Sequence, residues 1–326
     1  MTGPLLQVRD LCISVARIVP IVEDLSFSVA AGETVGLVGE SGCGKSLTAL
    51  AIMRLLAGNL TVTAGSIALD GVELTTLPEE RLRRLRGDRM AMIYQEPLTA
   101  LNPVMTIGAQ LVEVLRTHRD LTRGQAAARA VELLGLVRIP DPAARFHEYP
   151  HRLSGGMRQR VVIAMALACD PALLIADEPT TALDVTVQAQ ILRLIKQLQR
   201  KAGLGLLLIT HDLGVVRQVA DRIVVMYAGS VVETGTVAEV LDRPRHPYTA
   251  GLIAARPSGS FTQDGQRLAE IPGAVPAPDA RPAGCVFAPR CGKAQADCRA
   301  TRPPLVSGTQ GHAVRCYHPM TEAAHP

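Results

Sequence analysis

Residues 39–46 read GESGCGKS and match the phosphate-binding pattern G-x-x-x-x-G-K-[ST]. The apolar run at 34–38 predicts a buried strand before this loop, and residues 46–56 have helical spacing after it. In such a strand–loop–helix, backbone amides surround phosphate oxygens and the helix N-terminus adds positive potential. We expect Lys45 to reach the β- and γ-phosphates of a nucleotide and Ser46 to bind Mg²⁺. The predicted nucleotide-binding residues of the loop are Gly39, Glu40, Ser41, Gly42, Cys43, Gly44, Lys45, Ser46 and Leu47.

Two acidic residues follow a second apolar run. Residues 173–176 predict a strand that leads to Asp177 and Glu178. A carboxylate at the carboxyl end of a strand faces the ligand crevice of an α/β sheet. We expect Asp177 to support Mg²⁺ and Glu178 to polarise the attacking water, as a general base or by positioning it. Without the phosphate-binding loop upstream, two solvated acids at a strand end would be the better interpretation.

A short segment between these two motifs, residues 153–157, reads LSGGM. Ser154 is a good helix cap, and the free amides of Gly155 and Gly156 would form an anion site at the start of a predicted helix over 157–169. A plain helix cap after a loop is the alternative. The order of loop, LSGGM and acidic strand end is typical of an ATPase that works as a face-to-face pair. It resembles the nucleotide-binding subunit of an ATP-binding-cassette (ABC) transporter over nearly the whole chain.

The resemblance implies roles for further residues. In ABC ATPases, a glutamine at the place of Gln95 contacts Mg²⁺ and the attacking water, and a histidine at the place of His211 bonds the γ-phosphate. The implied catalytic residues are Glu178, His211 and Gln95, and the implied Mg²⁺ ligands are Ser46, Gln95 and Asp177. The family's signature serine and glycines bind the γ-phosphate held by the other subunit. A chain with one loop and one signature therefore needs a second cassette to complete a site.

One departure from the family concerns adenine. ABC ATPases usually stack adenine on an aromatic residue upstream of the phosphate-binding loop, and residues 12–22, CISVARIVPIV, contain none. The guanidinium plane of Arg17 could stack on the base instead, or Ile18 could supply an apolar contact. The sequence leaves these two open.

Composition excludes several classes of protein. The 326 residues suffice for a large core and an appendage, and 48% of them are hydrophobic although Trp is absent. A net charge of +4 does not indicate a nucleic-acid-binding protein. No apolar stretch approaches the ~18 residues that span a bilayer, and the start, MTGPLLQVRD, lacks the features of a signal peptide. We expect a cytosolic chain that reaches a membrane only through partners.

The pattern along the chain changes three times and shows no internal repeat, which indicates a single cassette. The predicted fold is α/β: a P-loop cassette with a mixed sheet and a helical subdomain, plus a small cysteine-rich C-terminal extension. Strands are predicted at 5–9, 25–29, 34–38 and 66–69, with a hairpin through Asp70–Gly71, and helices at 107–118 and 122–136. The predicted parts are 1–95 and 153–243 for the ATP-binding core, 96–152 for the helical subdomain, and 244–326 for a Pro/Gly-rich extension.

Seven cysteines are present, and four of them crowd the last 42 residues with the spacing C-x5-C-x6-C-x17-C. These four are Cys285, Cys291, Cys298 and Cys316. Four thiols in a Pro-rich, core-poor segment suggest a metal that supplies folding energy, and a cytosolic location disfavours disulfides. Spacing alone does not separate zinc from an iron–sulfur cluster. Elsewhere, Cys43 lies beside a predicted helix N-terminus, which favours its thiolate.

The segments around the tail cysteines, GCVFAPRC, ADC and TRPPL, resemble the tail of peptide-transport ATPases, in which a [4Fe–4S] cluster occurs. The resemblance implies such a cluster, with zinc, or thiols that are unligated or disulfide-bonded, as alternatives. Because the cysteines lie far in sequence from Lys45 and Glu178, we expect the cluster to take no part in hydrolysis. Basic residues beside the thiols would offset the cluster's negative charge. They are Arg290, Lys293, Arg299 and Arg315.

Four longer segments narrow the resemblance to the ATPases of oligopeptide, dipeptide and nickel importers, in their D-type form. They are QEPLTALNPV (95–104), YPHRLSGGMRQR (149–160), ADEPTTALDVTVQAQIL (176–192) and RHPYTAGL (245–252). The resemblance implies a paralogous F-type ATPase, two permeases and an extracytoplasmic substrate-binding protein, at the cytoplasmic face of a bacterial inner membrane. It implies peptides as substrate, with nickel or glutathione as alternatives, and no nucleic acid.

Three rival classes share the signature and fit less well. DNA-repair and chromosome ATPases carry long coiled coils between loop and signature, whereas 109 residues without sustained heptads separate Lys45 from Ser154 here. Translation-associated ABC factors carry two cassettes on one chain. Exporter ATPases lack the 95–104 segment and the cysteine tail.

Overall fold

The computed structural model describes residues 3–181, 183–255, 270–308 and 311–320. Its strands are β1 (Leu6–Val15), β2 (Val19–Val29), β3 (Thr34–Val38), β4 (Leu60–Leu69), β5 (Val72–Glu73), β6 (Met90–Ile93), β7 (Leu173–Asp177), β8 (Gly205–Thr210), β9 (Arg222–Tyr227), β10 (Ser230–Thr236), β11 (Val306–Ser307) and β12 (Ala313–Val314). Its helices are α1 (Lys45–Ile52), α2 (Glu79–Leu85), α3 (Pro97–Ala100), α4 (Ile107–His118), α5 (Arg123–Leu136), α6 (Pro142–Arg145), α7 (Gly155–Ala166), α8 (Val185–Ala202), α9 (Leu213–Val219), α10 (Val237–Asp242), α11 (Pro247–Ala254) and α12 (Ala296–Ala300).

The strands form two sheets, and the larger one is mixed, as the sequence predicts. Its order is β11-β12-β10-β9-β3-β8-β7-β6, and the pairs from β9 to β6 are parallel while β9–β10, β10–β12 and β12–β11 are antiparallel. All residues of β3, β6, β7 and β8 are buried. Such continuous apolar runs are typical of parallel strands covered on both faces. The carboxyl ends of four adjacent strands therefore meet at one edge.

The second sheet is antiparallel, in the order β2-β1-β4-β5. Strands β1 and β2 are longer than the runs predicted at 5–9 and 25–29. Asp10 and Asp24 have positive φ, 47° and 51°, and the β1–β2 register shifts between Val8 and Leu11. Such a bulge breaks the two-residue alternation on which strand prediction depends.

The helical segment between β6 and β7 begins as the sequence indicates. Helix α4 has the predicted bounds, and Thr106 caps it by accepting a hydrogen bond from the Ala109 amide. Thr122 and Gln125 form a reciprocal capping box at α5. Buried aliphatic residues of both helices pack with α7 in one hydrophobic cluster. No helix in the part of the chain described here is long and apolar enough to cross a bilayer.

The C-terminal segment packs against the cassette, which the sequence pattern did not predict. Strand β12 extends the larger sheet by pairing with β10. Phe287 contacts the rings of Tyr227 and Tyr248 at centroid distances of 5.2 and 5.4 Å, and all three residues are buried. The expectation of a core-poor tail is therefore wrong for these residues. Their apolar partners lie on β9 and α11, distant in sequence, so no local periodicity indicates the packing.

Candidate functional site

The glycine-rich loop occupies the turn between β3 and α1, as predicted. Gly39 has φ 153°, and a Cβ there would lie 2.2 Å from the Met226 carbonyl oxygen. Gly44 has φ 100°, and its Cβ would lie 2.6 Å from a methyl group of Val22. Both positions therefore require glycine. Ser41 and Gly42 at the tip are exposed, whereas Leu47 packs its side chain against the core below the loop.

The Lys45 ammonium folds back onto its own loop. Its Nζ lies 2.8 Å from the Gly39 carbonyl oxygen, 3.0 Å from that of Glu40 and 3.7 Å from Cys43 Sγ. Reaching a β- or γ-phosphate would exchange these carbonyls for phosphate oxygens.

Cys43 does not have the thiolate character that its sequence position suggests. The residue is fully buried, and this burial raises the pKa of its thiol, against the lowering influence of Lys45. The thiol points into the packed interior, towards the place that a Cβ on Gly39 would take, 2.8 Å from the sulfur. Cys43 therefore offers a nucleotide its backbone amide only.

Ser46 and Asp177 meet where a magnesium ion is expected. The Ser46 hydroxyl donates a 3.1 Å hydrogen bond to Asp177 Oδ1, and Asp177 is 5% exposed at the end of β7. Burial raises the pKa of Asp177 above its usual range, and the hydrogen bond from Ser46 only partly offsets this. A hydroxyl and a carboxylate oxygen are the donors that Mg²⁺ prefers, so the pair fits the ion.

Glu178 is the centre of a hydrogen-bonded group. Its Oε2 accepts bonds from Gln95 Nε2 at 3.1 Å and from the Thr181 hydroxyl at 2.8 Å, and its Oε1 lies 3.1 Å from His211 Nδ1. Burial would raise the pKa of Glu178, but the bonds with His211 and Thr181 hold it below its usual value. The group is therefore a carboxylate at neutral pH, as a base requires. Its backbone has φ 46°, an uncommon conformation at a candidate catalytic residue.

The structure brings together residues that three strands present. Gln95 follows β6, Glu178 follows β7 and His211 follows β8, and these strands are neighbours in the sheet. The contribution of Thr181 was missed by the sequence analysis, although Thr181 lies three residues after Glu178 in the quoted 176–192 segment.

The signature segment begins α7, where Ser154 is the N-cap and its hydroxyl accepts from the Met157 amide at 3.4 Å. Ser154 and Gly155 are exposed. A Cβ on Gly156 would lie 2.8 Å from a methyl group of Val187, so close packing against α8 explains that glycine. The exposed amides at this helix end can receive an anion from outside the chain.

Arg17 lies in the turn between β1 and β2, with φ 62°, and is exposed. Its neighbour Ile18 is 80% exposed, an unusual place for a large apolar side chain. Both remain candidates for contact with a nucleotide base.

The four tail cysteines line a single cavity. Cys285, Cys291, Cys298 and Cys316 share it with His246, Phe287 and Tyr317, among others. All four are free thiols, and burial raises the pKa of Cys316 to about 11. Within the described residues, the only three ligand atoms of His, Cys, Asp or Glu that lie within 4.8 Å of one another belong to Asp297, Cys298 and His318. No three of the four tail cysteine sulfurs, all of them in the described part of the chain, are that close together.

Two tail residues contact the phosphate-binding loop, and sequence reasoning missed both contacts. Arg290 forms an ion pair with Glu40, and the Glu40 amide donates to the Tyr248 hydroxyl at 2.9 Å. The tail therefore lies against the ATP site despite its distance in sequence, and the expectation that the cluster takes no part in hydrolysis stays a prediction. Two of the basic residues that were expected to offset the charge of the cluster form ion pairs with the cassette instead. Arg290 pairs with Glu40, and Arg315 pairs with Asp24.

Comparisons with known proteins identify related sequences. Residues 22–181 match the family model described as ABC transporter, and residues 232–298 match that described as oligopeptide/dipeptide transporter, C-terminal region. The putative peptide import ATP-binding protein BMEII0863 of Brucella melitensis is 54% identical over 311 residues, 92% of each chain. The putative peptide import ATP-binding protein BAB2_1052 of Brucella abortus is 51% identical over 319 residues, 97% of this chain and 95% of that protein.

Solved structures share the fold. One is the dimeric, post-hydrolysis structure of the ATP-binding cassette MJ0796 bound to ADP and Pi, with a TM-score of 0.64 and 26% identity over 71% of this chain and 98% of that one. Another is cbiO1 from Clostridium perfringens, part of the ABC transporter complex cbiONQ, with a TM-score of 0.63 and 24% identity over 74% of this chain and 91% of that one.

Proposed function

Because the chain belongs to the ABC transporter family of ATP-binding proteins, we propose that it is the ATP-hydrolysing subunit of a bacterial importer of di- and oligopeptides. The observation that carries this function is the convergence of the glycine-rich loop, Gln95, Glu178 and His211 at the carboxyl ends of adjacent strands. The peptide substrate is supported by the match of 232–298 to the oligopeptide/dipeptide transporter region and by relatives called peptide import proteins.

Hydrolysis would proceed by attack of water on the γ-phosphorus, which breaks its bond to the β–γ bridging oxygen and releases ADP and phosphate. The loop amides and Lys45 hold the phosphates, and Glu178 takes a proton from the water or aligns it. Gln95, Thr181 and His211 keep the Glu178 carboxylate oriented. Ser46 and Asp177 would hold Mg²⁺, which when bound neutralises charge on the phosphates.

The active form would be a pair of cassettes. Ser154 and Gly155 are exposed, so the free amides at this helix end could supply the anion site that a partner's γ-phosphate would occupy. The fold is shared with a cassette solved as a dimer. The partner would be a paralogous F-type ATPase. Two permeases and an extracytoplasmic substrate-binding protein would complete the importer, with this chain peripheral at the cytoplasmic face of the inner membrane.

The four tail cysteines would bind a [4Fe–4S] cluster. One tetrahedral zinc ion brings its sulfur ligands to about 3.8 Å from one another, whereas a cluster spaces them further apart because each thiolate binds a different iron. The four cysteines line one cavity and no three of their sulfurs lie within 4.8 Å of one another, which supports the cluster over a single zinc ion. The division at 1–95, 96–152, 153–243 and 244–326 stays a proposal.

Uptake in proteoliposomes tests the transport function. The reconstituted complex should accumulate labelled di- or oligopeptide when MgATP is supplied to this subunit, and Lys45→Ala should abolish uptake. Uptake of nickel or glutathione without peptide uptake would contradict the proposed substrate.

Iron and sulfide analysis tests the cluster. Anaerobically purified protein should be brown and contain about four iron and four sulfide per chain. Cys298→Ser should lose iron, whereas Cys12→Ser, a control on β1, should keep it. Stoichiometric zinc without sulfide, under iron-replete conditions, would show a zinc site instead.

A further inference from the structure

The guanidinium of Arg290 connects the cysteine-rich tail to the phosphate-binding loop. Its two terminal nitrogens donate to the two carboxylate oxygens of Glu40, Nη1 to Oε2 at 2.6 Å and Nη2 to Oε1 at 3.1 Å. The Arg290 side chain is 6% exposed and that of Glu40 is 26% exposed. A bidentate pair of this kind, shielded from water, fixes orientation as well as charge.

Arg290 owes its orientation to the tail itself. Its Nε donates to the Pro272 carbonyl at 2.9 Å, and Nη2 donates to that of Ile271 at 3.0 Å. The guanidinium carbon also lies 5.7 Å from the centre of the Tyr227 ring. The residue ends a 3₁₀ turn, Ala288–Arg290, and Cys291 follows it directly. The fold of the cysteine segment therefore sets the direction from which Glu40 is held.

Glu40 is held at its backbone as well. Its amide donates to the buried Tyr248 hydroxyl at 2.9 Å, and its carbonyl oxygen accepts from Lys45 Nζ at 3.0 Å. Glu40 directly follows Gly39, where the chain leaves β3 to form the loop. Contacts from α11 and the tail thus determine where the loop begins, and the loop in turn places Lys45.

We propose that Arg290 is a positioning residue that holds the phosphate-binding loop in its nucleotide-binding shape through Glu40. The segment that carries the four cysteines then acts on the ATP site from behind the loop. The inference rests on the proposed ATP site, and it does not depend on which metal group the cysteines bind.

The expected loss of affinity for MgATP depends on the fraction of chains whose phosphate-binding loop has the shape that binds nucleotide, the competent fraction. Without Arg290, the Glu40 carboxylate loses its fixed partner and the loop can adopt other conformations. An apparent dissociation constant rises in inverse proportion to the competent fraction. If the fraction of chains with a competent loop falls to about one tenth, the apparent dissociation constant for MgATP rises about tenfold.

Nucleotide affinity of the purified chain, measured by titration calorimetry with MgATP, tests the proposal. Arg290→Ala should weaken binding about tenfold, and Glu40→Gln, which leaves the tail unchanged, should weaken it in the same direction. The double variant should bind no worse than the weaker single one, because both remove the same contact. Arg290→Lys should restore affinity only in part, since an ammonium cannot bind a carboxylate in bidentate fashion.

Arg302→Ala is the matched control. Arg302 also joins the tail to the cassette, through Glu23 and the Ser230 hydroxyl, but it does not contact the loop. Its affinity for MgATP should stay within about twofold of wild type. In the assembled complex, Arg290→Ala should raise KM for ATP more than it lowers kcat.

Three results would overturn the proposal. The first is that Arg290→Ala and Glu40→Gln bind MgATP as tightly as the wild type. The second is that Arg302→Ala loses as much affinity as Arg290→Ala. The third is that the losses of affinity add in the double variant. A wild-type chain that does not bind MgATP, or a Lys45→Ala variant that binds it normally, would instead refute the proposed ATP site and this inference with it. Melting curves show whether each variant is folded. If Arg290→Ala does not fold, Glu40→Gln still tests the proposal.

Discussion

Replacement of Glu178 by Gln should stop ATP turnover while ATP stays bound. Glutamine has nearly the shape of glutamate, and the oxygen of the new side-chain amide would still accept from Gln95 and Thr181, the two donors to Oε2. The amide nitrogen would face His211 Nδ1, which can accept when its tautomer allows. The group should therefore keep its arrangement and lose only the ability to take a proton.

The size of the effect follows from the role. General-base catalysis contributes about 10²- to 10⁴-fold, so the barrier should rise by about 2.7–5.4 kcal/mol at 1.36 kcal/mol per tenfold. Nucleotide affinity should change little, because the proposed phosphate contacts come from the loop amides and Lys45 and not from Glu178. Steady-state phosphate release from the assembled complex measures turnover, and radiolabelled nucleotide retained after gel filtration measures trapping.

Glu132→Gln provides the matched control. It makes the same change at a side chain on α5 that is 65% exposed and pairs with Arg129, far from the loop in the fold. Its turnover should equal that of the wild type. Turnover of Glu178→Gln within a few-fold of wild type would remove Glu178 from its catalytic role, and loss of ATP binding would show that the carboxylate also supports the nucleotide.

The remaining predictions concern assembly and the loop thiol. The purified chain alone should hydrolyse ATP slowly, because Ser154 must meet the phosphate-binding loop of a partner. Adding the partner ATPase and the permeases should raise the rate of hydrolysis. A fully active monomer at low concentration would contradict the paired site. Cys43 should resist iodoacetamide in the native chain and react after unfolding, because it is buried and the pKa of its thiol is raised. The partly exposed Cys12 should react before Cys43. Rapid labelling of Cys43 in the native chain, detected by peptide mapping, would contradict the burial.

Features that depend on neighbouring residues could be predicted from the sequence. The Gly39 and Gly44 positions, the cap at Ser154 and the bounds of α4 each follow from a few adjacent residues. The acids at the end of β7 were also predictable, because a carboxylate that follows a buried apolar run indicates the end of a strand. The resemblance implied that Gln95 and Glu178 both act on the attacking water, whereas their 3.1 Å contact depends on the strand order that the structure shows.

Features that depend on distant parts of the chain required the tertiary structure. Arg290 meets Glu40 across 250 positions of sequence, and neither residue carries a local pattern that indicates the pair. The burial that raises the Cys43 pKa comes from packing below the loop and opposes the local effect of the helix N-terminus. Phe287 has no apolar periodicity around it because its partners, Tyr227 and Tyr248, lie on other elements. The sequence by itself determined which groups could do chemistry, since a motif and the end of a strand are both set by residues adjacent in the chain. Only tertiary packing decided which groups hold them in place, because a side chain's burial and ion-pair partners depend on what the folded chain brings beside it.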